Sequence, residues 1–166
     1  MVKDNQMKKI LLGFIAIGLL TFVGCGTSKT EGAGVTDIDG NTYQSVIIGT
    51  QEWMSMNLNV DHFRNGDIIP EVKTNEEWEK AGEEGRPAWC YYDNDISNGE
   101  KYGKLYNWYA VNDSRGLAPE GWHVPTDAEW TVLTDYLTAN GHSGAEGKAL
   151  KATSGWNSGG NGTDDY

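Results

Sequence analysis

Gly121-Trp122-His123-Val124-Pro125-Thr126-Asp127-Ala128-Glu129-Trp130 is the stretch that most constrains how this chain folds. Pro125 pushes Val124 out of the α region, so the residues before it are extended. Thr126 can accept from the backbone N–H three residues on, and Glu129 can reach back to the N–H of Thr126, the spacing of a capping box. A helix is therefore predicted to begin here. Beyond it Trp130, Leu133 and Leu137 fall at i, i+3 and i+7, one apolar stripe facing a core, until Asn140-Gly141 offers the αL conformation that ends a helix.

The chain has 166 residues, the size of one domain rather than two. Its opening is of another kind. Lys8 and Lys9 precede an apolar run from Ile10 to Val23, shorter than the ~20 residues that cross a bilayer and built like the core of a signal peptide. Residues 1–24 are thus expected to target the chain and not to join the fold. Met7-Lys8-Lys9 is an equally good signal start, which would make Met1 to Gln6 an over-extension. Residues 25–34, rich in Gly, Ser and Thr and lacking a large apolar residue, read as a flexible tether. The folded domain is expected over 35–166.

The formal net charge is −11. Removing the leader takes away Lys3, Lys8, Lys9 and only Asp4, so the remainder is more acidic still. Such a surface repels nucleic-acid phosphates, and DNA or RNA is not an expected partner.

From Val35 the pattern is β. Val35 to Ile38, Tyr43 to Ile48 and Gln51 to Leu58 read as three short antiparallel strands separated by Asp39-Gly40 and Gly49-Thr50. Ile38, Val46, Ile48, Trp53 and Leu58 are their core candidates. Asn65-Gly66-Asp67 reads as a turn. Thr74 with Glu77 repeats the capping-box spacing and opens an acidic helix that Gly82 can close, with Trp78 facing in. Its glutamates read as a solvated face. Ala88 to Tyr92 reads as a strand, and Tyr102 to Val111 is too aromatic for periodicity to decide between strand and helix. Those aromatics are expected mainly in the core, with Trp108, Tyr109 and Trp156 kept as candidate ligand contacts. Ser143 with Glu146 gives a third capping spacing and a short helix from Ala145 to Ala152. The sequence then stops inside a Gly-rich stretch, and a C-terminally truncated domain is expected. The fold class is α+β, with short antiparallel strands and two or three short helices.

Two resemblances sharpen this. Thr21-Phe22-Val23-Gly24-Cys25 resembles the lipobox of bacterial lipoproteins. That resemblance implies acylation of Cys25, a membrane anchor, and an outer-membrane or cell-surface location; ordinary cleavage nearby is the alternative. Gly103-Lys104-Leu105-Tyr106-Asn107-Trp108-Tyr109-Ala110-Val111, followed by the stretch from Gly121 to Trp130, is similar to the Fibrobacter succinogenes major paralogous domain. Val35 to Asn41, Ile48 to Met54, Asn57 to Val60 and Trp89 to Asp95 fit it in the same order. Val124 to Trp130 also resembles an element of the formylglycine-generating sulfatase-modifying domains, which implies a C-type-lectin-like fold. The resemblance brings no established activity. It further implies that a cysteine in a later part of the pattern could pair with Cys90.

Chemistry-bearing constellations are sparse. Cys90 lacks the spacing to His62 or His123 that would mark a catalytic thiolate, and His123 reads as a packed structural residue. His62 and His142 read as surface residues. No His-x-x-x-His, Cys-x-x-Cys or Gly-x-Ser-x-Gly arrangement occurs. Asp93 and Asp95, or Asp164 and Asp165, could present oxygen ligands to Ca²⁺, but both clusters are also ordinary Asx-rich turns. No other cofactor is expected. The reading that results is a surface binding or display module for a carbohydrate or protein ligand; the alternative is an enzyme or enzyme accessory related to the sulfatase-modifying fold.

Overall fold

The structure, a computed structural model, describes residues 8–10, 30–157 and 159–166, the first three by their backbone. Cys25 and nearly all of the expected leader lie outside the described residues. In chain order the elements are β1 (Lys8–Ile10), β2 (Thr30–Glu31), β3 (Val35–Thr36), β4 (Thr42–Tyr43), β5 (Ser45–Ile48), β6 (Gln51–Met54), α1 (Asn75–Glu83), β7 (Trp89–Cys90), α2 (Gly99–Tyr102), β8 (Leu105–Tyr106), α3 (Trp108–Val111), β9 (Trp122–His123), α4 (Asp127–Leu137) and α5 (Glu146–Leu150). Mixed short strands and short helices make this an α+β chain. It divides into two compact units.

The first unit takes Met1–Gly34, Gln44–Met56 and Pro125–Tyr166. Its centre is the β5–β6 hairpin, with Val46 opposite Trp53 and Ile48 opposite Gln51. Gly49 makes the reversal at φ 62°, and a Cβ there would come within 2.7 Å of the Tyr136 ring, so the turn needs glycine on both counts. β2 pairs antiparallel with β5, and β1 runs parallel to β6, so Lys8–Ile10, in the stretch expected to stay outside the fold, pairs with this hairpin through its backbone. Glu52 and Ser45, both buried, grip the chain that follows β2. Glu52 Oε1 accepts from the Ser45 hydroxyl at 2.7 Å and from the Ala33 N–H at 2.8 Å, while the Gly34 N–H donates to Ser45 Oγ at 2.8 Å. Thr30 to Gly34, the far end of the stretch expected as a tether, is therefore hydrogen-bonded.

α4 starts where the capping box predicts. The Thr126 side chain accepts from the Glu129 N–H, and the Glu129 carboxylate accepts from the Thr126 N–H at 3.0 Å. Leu133 and Leu137 face inward as expected, but the third buried position is Glu129 and not Trp130. Trp130 is 37% exposed and tilts onto Trp53 with ring centroids 5.1 Å apart. The cap explains the exchange: a Glu129 side chain that reaches back to Thr126 and a backbone carbonyl that accepts from Gln51 Nε2 hold Glu129 inward. Ile48, Trp53, Leu133, Leu137 and Ala149 form the core of this unit. Asn140 and Gly141 end α4, Gly141 at φ 94°. Glu146 does not cap α5 with Ser143; its carboxylate accepts instead from Thr138 and the Gly144 N–H. The C-terminal stretch folds back so that the N–H groups of Thr163, Asp164 and Asp165 meet carbonyls at the end of α5.

The second unit takes Val35–Tyr43 and Asn57–Val124. The three-strand meander expected from the sequence is thus two separate hairpins, β3–β4 here and β5–β6 in the first unit. β3 and β4 are joined by a turn built on Asp37, and Ile38 at its tip is 51% exposed rather than core. Residues 61–69 fold as a second tight reversal, with the Phe63 N–H on Asp67 O and the Ile69 N–H on Asp61 O, and Gly66 at φ 89°. α1 is capped by Thr74 as predicted, but Gly82 lies inside it. The helix is closed by Gly85 at φ 67°, with the Arg86 N–H returning to Ala81 O. Val72, Ala81, Ala88 and Cys90 pack beneath it with Trp78. β7 pairs with β8, and beside them the buried Lys104 ammonium sits 4.3 Å above the Trp89 ring and donates to Asp61 at 2.6 Å.

Candidate functional site

The aromatic segment from Tyr102 to Val111 does not go wholly into the core. Tyr106 is held inside, its hydroxyl donating to Val60 O at 2.7 Å. Asn107, buried, then accepts from the Ala110 and Ala88 N–H groups at 3.0 and 3.1 Å and donates to Arg86 O at 2.7 Å. This caps α3 and turns Ala110 inward, which leaves Trp108 66% and Tyr109 40% exposed. Tyr109 lies over Gly85. Trp108 is thus an open indole on a clamped backbone. Trp156, in the first unit, is 41% exposed with Lys151 Nζ 4.8 Å from its ring centre.

The carboxylates weighed for calcium are turn builders. Asp95 accepts from the Ser97 N–H at 2.9 Å, and that bond lowers its pKa. Asp93 and Asp164 stand at φ 56° and 53°, and Asp165 accepts from the Thr163 hydroxyl. Among the described residues no group of three or more His, Cys, Asp or Glu side chains is placed to hold a metal ion.

One cleft in the second unit was not anticipated. It encloses about 290 Å³ between the 36–38 turn, the 60–64 stretch and the 117–120 loop. Ile38, Val60, Leu117, Ala118 and Pro119 give it apolar walls; Thr36, Asp37, His62, Arg64 and Glu120 give it polar ones. His62, expected as a surface residue, is partly exposed and paired: its Nδ1 meets Asp39 Oδ1 at 2.5 Å. Burial works against the charged form of Asp39. The Asp61 N–H, together with the ring and charge of His62, outweighs it and brings that carboxyl below its ordinary value. Across the cleft Arg64 ties down the 116–122 loop, donating from Nε and Nη2 to Ala118 O at 3.1 and 2.8 Å and from Nη2 to Pro119 O and Trp122 O at 3.3 and 3.1 Å.

The family model described as Fibrobacter succinogenes major domain matches residues 46–165. The chain belongs to this family. Comparison with curated proteins and with solved structures returns no match. The matched part of this Fibrobacter succinogenes major domain holds Trp108, Tyr109, Trp156, His62 and Arg64, while Asp37 and Asp39 precede it. Cys90 lies buried and free within it, its thiol pKa raised by burial. Such a thiol is a poor nucleophile. Among the described residues no helix is long and apolar enough to cross a membrane.

Nothing in the sequence marked His62 and Asp39 as partners, because a contact across 23 positions leaves no periodic trace. The nearest signal was the Asp37-Ile38-Asp39-Gly40-Asn41 turn, read only as a hairpin connection.

Proposed function

We propose that this Fibrobacter succinogenes major domain is a binding module of the bacterial cell envelope, exported by residues 1–24, anchored at the outer membrane or cell surface through a lipidated Cys25, and working by holding a carbohydrate or protein ligand. The observation that carries the reading is Trp108, 66% exposed on a turn that Asn107 fixes with three side-chain hydrogen bonds. A rigid exposed indole loses little freedom on binding and offers a flat apolar face to the CH surface of a sugar ring or to an aliphatic side chain. The finer reading of the fold is C-type-lectin-like, supported by short strand pairs with long irregular connections between them.

Calorimetry on the full chain with plant polysaccharides, with and without Ca²⁺, tests the ligand. Saturable binding weakened roughly tenfold by Trp108→Ala is expected. Absence of binding to every polysaccharide, or full affinity in the variant, would remove Trp108 as the contact. The address is tested separately: Cys25→Ser should abolish incorporation of labelled palmitate, and labelling that persists would exclude Cys25 as the acylated residue.

A further inference from the structure

The cleft beside His62 has no part in the Trp108 surface, yet it is built. Its two sides are locked independently. His62 is held by Asp39, which is held in turn by the Asp61 N–H, and Asp61 by the buried Lys104 ammonium. The opposite loop is held by four guanidinium hydrogen bonds of Arg64 to carbonyls, and by the Arg64 N–H on Gly116 O at 2.8 Å. Ile38, exposed at the turn tip, belongs to the apolar wall of the cleft.

We propose that this cleft binds a neutral polyhydroxylated ligand, a single sugar ring. His62, its Nδ1 on the Asp39 carboxylate, has Nε2 as its second polar atom. The Glu120 carboxylate, without a partner among the described residues, is an acceptor on the wall, the Asp37 carboxylate is another, and the Thr36 hydroxyl, shared with Thr42 at 3.3 Å, is a weaker group. Acceptors on the wall require hydroxyl or N–H donors on the ligand, while the aliphatic wall of Ile38, Val60, Leu117 and Pro119 requires a CH face. Charge then decides among donors. An anion meets the Glu120 and Asp37 carboxylates; a cation meets the Arg64 guanidinium, whose carbonyl partners leave its charge uncancelled. A sugar ring is neutral, carries several hydroxyl donors and has an apolar face, the combination that small-molecule clefts of this makeup select.

The test is a titration of the full chain, ¹⁵N-labelled at histidine, with glucose, mannose and xylose and with the corresponding disaccharides. The expected result is a saturable shift of the His62 ring signals with those of His123 and His142 unmoved. Affinity should fall roughly tenfold in Glu120→Gln, an exposed position whose change leaves the fold intact, and further in His62→Gln, while Trp108→Ala leaves it unchanged. A shift with both monosaccharide and disaccharide assigns a glycan terminus as the source; a shift with the monosaccharide alone assigns the free sugar. If no sugar moves the His62 signals saturably, or if Glu120→Gln binds as tightly as the parent, the assignment fails. Sugar binding lost in Trp108→Ala and kept in Glu120→Gln overturns this cleft and leaves the surface reading standing.

Discussion

Tyr43 donates its hydroxyl to Asp37 Oδ2 at 2.6 Å, with both side chains buried. Burial, and then the bond to Asp37, hold the phenol far above its ordinary range, so it remains a donor. The other oxygen of Asp37 accepts from the Asp39 and Asn41 N–H groups at 2.9 Å each, and Oδ2 also takes the Asn41 amide. One carboxylate thus shapes the turn that presents both Ile38 and Asp39.

Asp37→Ala is expected to leave several buried donors without partners and to cost about 3 kcal/mol, whereas Tyr43→Phe, which leaves Asp37 its other donors, should cost about 1 kcal/mol. Urea unfolding with an unchanged m-value measures both. Equal losses would show that Asp37 is not the hub.

Asn107→Ala removes the acceptor of the Ala88 N–H, in a fully buried residue, and unties α3. A loss of about 2 kcal/mol is expected. Hydrogen exchange at Ala88 should accelerate with it, and polysaccharide affinity at Trp108 should fall although the indole is untouched. Unchanged exchange at Ala88 would mean that the clamp is not formed in solution.

Acid stability should carry the mark of Asp113. Its carboxylate receives Arg115 Nε and Nη2 at 2.8 Å each and the Arg115 N–H at 2.9 Å. Those bonds, the guanidinium pair first, bring its pKa down to about 2. A carboxyl depressed in the folded state stabilises above its unfolded value near 4, and that contribution is lost as pH falls from about 4 through about 2. The pair is partly open to water, so the effect is modest. Stability followed across this window should fall less steeply in Asp113→Asn; identical profiles would refute the assignment.

What the sequence told reliably was local. Thr126 with Glu129, Thr74, Gly49 and Gly141 act within a few residues, and each cap or turn forms where the spacing placed it. Two local readings fail, Gly82 as the end of α1 and Ser143 with Glu146 as a cap; the other departures share one cause. Trp130 was assigned to the inward stripe because hydrophobicity counts for more than a glutamate, yet the cap on Thr126 and the contact with Gln51 bring Glu129 inward. Trp108 is a candidate ligand contact within a segment expected mainly in the core, and what holds it outside is the reach of Asn107 to Ala88 and Arg86, about twenty positions away. His62 finds its partner in Asp39, 23 positions away. Distant partners decide which way a side chain faces, and composition cannot name them.

The grip of Glu52 and Ser45 on Ala33 and Gly34 sets a leash length. If Cys25 carries the lipid, as proposed, five residues along the chain separate it from Thr30, where pairing with Ile47 begins. Five residues at full extension reach roughly 17 Å. A body so closely moored would sweep only a thin layer of space next to the lipid headgroups, and a ligand captured under that proposal would have to come down to the bilayer or belong to it.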